Sequence, residues 1–245
     1  MGYAPTAADL LNVWERGRSQ LPVDRALSLL TLGNGGEKPE DLAGLKIGER
    51  DARLLELRGN VFGPRIAARV DCPACGQSIE MNFTVSEVQT VPVSEVAETC
   101  AAKFGKYEIN FRLPNSNDLA ALVPGDDIAT QKRRLVQRCV LNAKSRGQPV
   151  ASDQLPDDTV TALSERMSEF DPQGDVQLAL SCPQCGHRWD APLDIVSFVW
   201  SEIHAWAVRL LHDVHALALA YSWRESDILA MSPWRRQAYL ELIGQ

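Results

Sequence analysis

Two short stretches decide how this chain folds: Cys72-Pro-Ala-Cys-Gly76, or CPACG, and Cys182-Pro-Gln-Cys-Gly186, or CPQCG. Each sets two thiols three positions apart, so each reads as a turn whose sulfurs reach one ion. The glycine after each second cysteine suits a turn that must aim backbone N–H groups at sulfur. Two sulfurs fill only half of the tetrahedral shell that zinc prefers, and two such turns complete it. Cys72, Cys75, Cys182 and Cys185 are therefore expected to hold one structural zinc ion per chain. Four thiolates leave no position for water, so the metal is expected to fasten the fold without reacting.

The sequence around each turn repeats as well. RIAARVD (65–71) and IEMNFTV (79–85) flank the first pair at strand length, and DVQLALS (175–181) and RWDAPLDI (188–195) flank the second. A usual zinc ribbon keeps its two turns much closer in sequence. Closure cost rises only logarithmically with loop length, so a folded insertion between the half-sites is tolerable. His187, in CPQCGH, is a competing fourth ligand that four sulfurs make unnecessary. A redox dithiol is the other competitor, and the strand setting and the matched second pair speak for zinc instead.

Outward from these turns, four regions are expected: a helical region over 1–65, paired β units at 66–90 and 175–196, a mainly helical insertion over 91–174, and a helical, tryptophan-rich region over 197–245. The fold class is α+β, mainly helical, with two strand–CPxCG–strand units forming one zinc-ribbon-like site. Thr6 reads as an N-cap with Asp9 in the first turn of its helix. Helices are expected over 23–32 and 49–58, the latter broken by Gly59 and Gly63. Within the insertion the pattern predicts a strand in KYEINFRLP (106–114), a short helix in SNDLAALV (116–123) and a longer one over 127–143. SRGQPVASDQLPDD (145–158) reads as a loop, and 159–170 as a helix. Ile203, Ala207, Leu210, Val214, Leu217 and Tyr221 recur at four and three, an apolar stripe over five turns. Two short helices follow, the second with Pro233 in its first turn.

Composition narrows the function. A net charge of −7, with 45% hydrophobic and 23% charged residues, describes a chain that folds and has little general attraction for polyanions. The richest basic run, QKRRLVQRC (131–139), reads as the solvated face of a helix. No apolar run reaches membrane-spanning length, and no secretory signal opens the chain, so the protein is expected to stay where it is made. The Met-Gly-x-x-x-Thr pattern at Met1–Thr6 is short enough to be chance. Cys100 and Cys139 read as small buried hydrophobes. His204, His212 and His215 lack a partnering Glu and read as surface or core-edge residues. Asp126 and Asp127 read as a helix start. No P-loop, Gly-x-Ser-x-Gly or His-Glu-x-x-His occurs.

Trp200, Trp206, Trp223 and Trp234 fall within thirty-five residues, a density that builds a core or anchors an interface. The interface reading places partner contacts at Trp223, Trp234, Arg235, Arg236 and Tyr239.

The segments DLLNVWERGRSQLPVDRALSLL (9–30), RDARLLELRGNVFGP (50–64) and HALALAYSWRESDILAMSPWRRQAYLELI (215–243), with both CPxCG turns, resemble a family encoded in contractile-tail gene clusters. These belong to tailed phages, prophages and extracellular contractile injection systems, and the family is grouped with the T-even phage baseplate hub assembly chaperones. Ile228, Leu229, Ser232, Arg235, Arg236 and Tyr239 are the most specific part of the likeness besides the cysteines. The resemblance implies a non-enzymatic protein that helps build a baseplate in the bacterial cytoplasm, whether it stays in the finished tail or particle or leaves. Its implied partners are baseplate, hub or tube proteins, with no nucleic acid, membrane or small-molecule substrate. Two alternatives stand beside it: a zinc-ribbon nucleic-acid binder, which needs a basic surface, and a thiol- or metal-dependent enzyme, which needs an open coordination site or a low-pKa thiolate.

Overall fold

A computed structural model of the chain describes residues 5–33, 37–89 and 98–243. The chain divides into two compact units, Met1–Glu37 with Ile195–Gln245 and, inserted between those segments, Lys38–Asp194. The myristoylation-like pattern falls mostly on residues 1–4, outside the described residues.

The first unit opens on a capping box. Thr6 Oγ1 accepts the Asp9 N–H at 3.2 Å, and the Asp9 carboxylate accepts the Thr6 N–H at 3.0 Å, which starts α1 (Ala7–Gly17) as expected. This helix buries Leu10, Leu11, Val13 and Trp14, and α2 (Pro22–Gly33) buries Ala26, Leu29 and Leu30.

The second unit begins with α3 (Pro39–Ala43), a short helix not among those expected from the sequence. Pro39 presets a first-turn φ, and Glu40 and Asp41 suit a helix N-terminus, so a short helix forms beside the glycines. Next, α4 (Ile47–Phe62) runs straight through Gly59 and ends only at Gly63, at φ +87°. One glycine costs a helix only about 1 kcal/mol. Burial of Leu54, Leu55 and Leu57 outweighs that, and Arg58 helps by donating to the Gly63 carbonyl at 2.6 Å. The antiparallel hairpin β1 (Arg65–Asp71) and β2 (Ser78–Thr84) follows, then α5 (Val85–Val88).

Between the two cysteine pairs the chain builds more sheet than its sequence suggests. β3 (Cys100–Phe104) and β4 (Tyr107–Phe111) precede α6 (Ser116–Ala120) and α7 (Ile128–Cys139). The expected long helix stops at Cys139, because β-branched Val140 opens β5 (Val140–Ser145), which pairs with β4. β6 (Gln148–Val150) then completes a four-stranded antiparallel sheet in the order β3-β4-β5-β6. The expected 145–158 loop thus contains a two-residue hairpin turn, Arg146 at φ +50° and Gly147 at φ +82°. That turn wants Asn-Gly or Asp-Gly, and an arginine in the first position hides it. After α8 (Asp157–Phe170), the sheet and helices enclose a core of Ile109, Phe111, Val136, Leu155, Leu163 and Met167, with Cys100 and Cys139 inside it. Asp118, fully buried, is held there by Arg112 at 2.5 and 2.8 Å and by Arg138 at 3.2 Å.

A second hairpin, β7 (Gln177–Ser181) and β8 (Arg188–Pro192), ends this unit. The chain returns to the first unit as α9 (Ile195–Tyr221), α10 (Glu225–Leu229) and α11 (Pro233–Ile243). Ile203, Ala207, Leu210, Val214 and Leu217 are all buried and Tyr221 half-buried, the expected stripe. Gly17 lets α1 come close to α9, since a Cβ there would stand 2.2 Å from the Trp200 ring. No helix among the described residues is long and apolar enough to cross a membrane.

Candidate metal centre

Both cysteine turns are built on one hydrogen-bond scheme. In the first, the Cys72 N–H donates to Gln77 O and the Gly76 N–H to Cys72 O, both at 2.9 Å. In the second, the Cys182 N–H donates to His187 O at 2.8 Å and the Gly186 N–H to Cys182 O at 2.9 Å. Gly76 and Gly186 take φ +71° and +72°, the left-handed conformation that glycine adopts without strain. Backbone N–H groups face the sulfurs as well: Gln77 toward Cys75, His187 toward Cys185, and Gln184 and Cys185 toward Cys182.

The two turns meet sulfur to sulfur. Cys72 Sγ lies 3.7 Å from Cys185 Sγ, Cys75 Sγ lies 3.6 Å from Cys182 Sγ, and all four fall within 4.8 Å of one another. A disulfide needs about 2.05 Å, so these are four separate thiols. A tetrahedron with zinc–sulfur bonds of about 2.3 Å has sulfur–sulfur edges of about 3.8 Å, and the spacing here fits that size. Cys72 and Cys182 are buried, while Cys75 and Cys185 face solvent. Among the described residues this is the one group of three or more Cys, His, Asp or Glu side chains placed to hold a metal.

The electrostatics agree with a site designed for a cation. At Cys75 the Gln77 N–H favours the thiolate, but the sulfurs of Cys185, Cys182 and Cys72, with burial, push the thiol up to about 12. Burial opposes ionisation at Cys182, yet the Cys185 and Gln184 N–H groups and the thiols of Cys185 and Cys75 bring it down to about 7. Four thiols this close cannot all ionise unless a positive ion joins them. The His187 imidazole stays out of the cluster and stacks on Trp189, centroids 5.7 Å apart.

The elements that lead into the two hairpins share a buried polar group without a local sequence signature. Asp171 Oδ2 accepts the Gly48 N–H at 2.8 Å and so caps the start of α4, the helix that leads into β1. Asp171 itself opens the turn Pro172–Gly174 that leads into β7. One carboxylate therefore ties together the supports of both hairpins. A Cβ on Gly48 would stand 1.8 Å from Asp171 Oδ1, so glycine is required for the approach. Burial pushes the Asp171 carboxyl up, against the Gly48 hydrogen bond.

Of the residues expected to meet a partner, Trp234 is 81% exposed and Arg235 is exposed with its guanidinium over the Tyr239 ring. Trp223 and Tyr239 are half-buried in an aromatic cluster with Tyr221, Trp223 stacked on Tyr221 at 4.4 Å. Arg236 is buried and donates to the Met231 carbonyl at 2.7 Å. Trp200 lies under Arg25, whose guanidinium is 4.7 Å from the ring centroid. His204 accepts the Trp14 indole N–H at 3.0 Å, and His212 and His215 are exposed. In the basic run, Arg133 pairs with Asp157, Arg134 with Asp126, and Arg138 with Asp118. Asp127 caps α7.

The fold and the sulfur cluster define a class: a mixed helix-and-sheet protein in which two cysteine hairpins, far apart in sequence, meet at one four-sulfur point. The family described as T4 bacteriophage base plate protein matches residues 31–200, a span of 170 of the 245 residues that includes both cysteine pairs, and the chain belongs to this family. No curated protein and no solved structure matches the chain.

Proposed function

We propose that this chain is a non-enzymatic protein of a contractile-tail baseplate, that it works by contact with other baseplate or hub proteins, and that one structural zinc on Cys72, Cys75, Cys182 and Cys185 stabilises it. The observation that carries this reading is the meeting of four sulfurs at tetrahedral spacing inside the segment that matches the baseplate family. A closed four-thiolate shell has no vacancy for substrate or water, which favours a structural metal over a catalytic one. The three arginines of the basic run are engaged in internal ion pairs, which favours protein partners over nucleic acid. Trp223, Trp234, Arg235 and Tyr239 supply aromatic and guanidinium groups of the kind that anchor interfaces, and Arg236 fixes the start of α11, which carries the last three. The proposal has the protein act in the bacterial cytoplasm while tails are built, as the resemblance to hub assembly chaperones implies.

Quantitative mass spectrometry of particles made with and without the gene tests the proposal. A fixed ratio of the chain to other baseplate proteins is the expected result for a resident component. Loss of particles on deletion, with no chain in those that form normally, is the expected result for an assembly factor. Normal particles from the deletion strain contradict both.

A further inference from the structure

A groove of about 680 Å³ runs between α1, α9 and α10 within the unit formed by the chain ends. Leu11, Trp14, Leu211 and Leu229 give it apolar walls, and Glu15 and Glu225 are the charged residues that line it. Neither carboxylate is in an ion pair among the described residues, and no lysine or arginine lines the groove. The walls are held in place before anything binds: the Trp14 indole is fixed by its hydrogen bond to His204, and Leu211 remains 39% exposed. The groove is built from residues outside the 31–200 segment that matches the baseplate family.

We infer that this groove seats a segment of another baseplate protein that presents one or two large apolar side chains flanked by lysine or arginine. The inference rests on the contact role proposed above and names a surface for it. An apolar trough of this volume, between preformed helices, takes side chains by the mode in which a helix or peptide lies in a groove. Charge chooses the occupant. Carboxylates beside an apolar wall repel the phosphates of membranes and nucleic acids and attract a basic flank, more strongly as water leaves.

Two labelled amphipathic peptides, identical except for lysine or glutamate at the flanking positions, test this by fluorescence anisotropy against the full chain. The wild type is expected to bind the lysine peptide at least tenfold more tightly than the glutamate peptide, with affinity falling as salt rises. Glu15→Lys with Glu225→Lys is expected to reverse the preference, and Leu211→Ser to weaken both, with circular dichroism and zinc content unchanged. Equal binding of the two peptides overturns the inference, as does lysine-peptide binding that survives the double charge reversal. Self-association of the wild type that the double variant abolishes also overturns it, by assigning the groove to a second copy. If the double variant builds particles normally while the deletion strain builds none, the groove assignment fails and the baseplate role stands.

Discussion

Asp51 sits buried beside Arg50 in α4, and its carboxyl is pushed up from 3.8 to about 6. Burial is the chief cause, the Arg50 guanidinium at 2.7 Å opposes it, and the Asp194 and Asp171 carboxylates add to it. The folded state therefore keeps this proton to higher pH than the unfolded chain does. The associated stabilisation is complete below pH 3.8 and is lost as pH rises through about 6. At about 1.4 kcal/mol per pH unit the loss is at most about 3 kcal/mol. Urea denaturation at pH 5 and pH 7 measures it: the wild type should lose more stability over that interval than Asp51→Asn, and equal losses would contradict the assignment. The sequence reveals the cysteines at this scale because their spacing is local. It does not reveal the Gly48–Asp171 cap, whose partners stand 123 positions apart with no repeating pattern. Nor does it show that Arg236, one of two adjacent arginines, turns inward while Arg235 stays out.

Among the elements, α4 carries a second glycine, Gly59, before its end. A Cβ on Gly59 would meet only Val85 Cγ2, at 3.7 Å, an ordinary contact. Gly59→Ala is expected to raise stability by about 0.5–1 kcal/mol, through lost flexibility in the unfolded chain. A lower denaturation midpoint for this variant would show that the helix packs more tightly there. Helices with one-sided apolar stripes, α1, α2 and α9, are legible in the sequence because 3.6-residue periodicity over several turns outweighs local accidents. The cysteine hairpins are legible because their turns announce themselves. The strands β3, β5 and β6 are not: they are short, β5 begins directly at the end of α7 and β6 at an unusual hairpin turn, and their pairing is settled by the core around Phe111 and Leu163.

At the scale of the whole molecule, Cys75 and Cys182 lie 107 residues apart, and the chain between them carries its own sheet, helices and core. The four-cysteine cluster closes that insertion at its base. Zinc affinities of about 10–16 kcal/mol in small thiolate sites rival whole-domain stabilities of about 5–15 kcal/mol, so the proposed zinc would contribute on the scale of the fold itself. Function is less legible than fold here, since the surface proposed for contact is made of ordinary residues that tertiary structure brings together. In the proposed function one zinc is shared by two distant hairpins. Native mass spectrometry of the purified chain, with Cys182→Ser beside it, tests this most directly. One zinc per wild-type chain and none in the variant is the expected result, with residues 38–194 of the variant losing protection from hydrogen exchange. A folded wild-type chain without zinc, or a variant that still holds one, would contradict it.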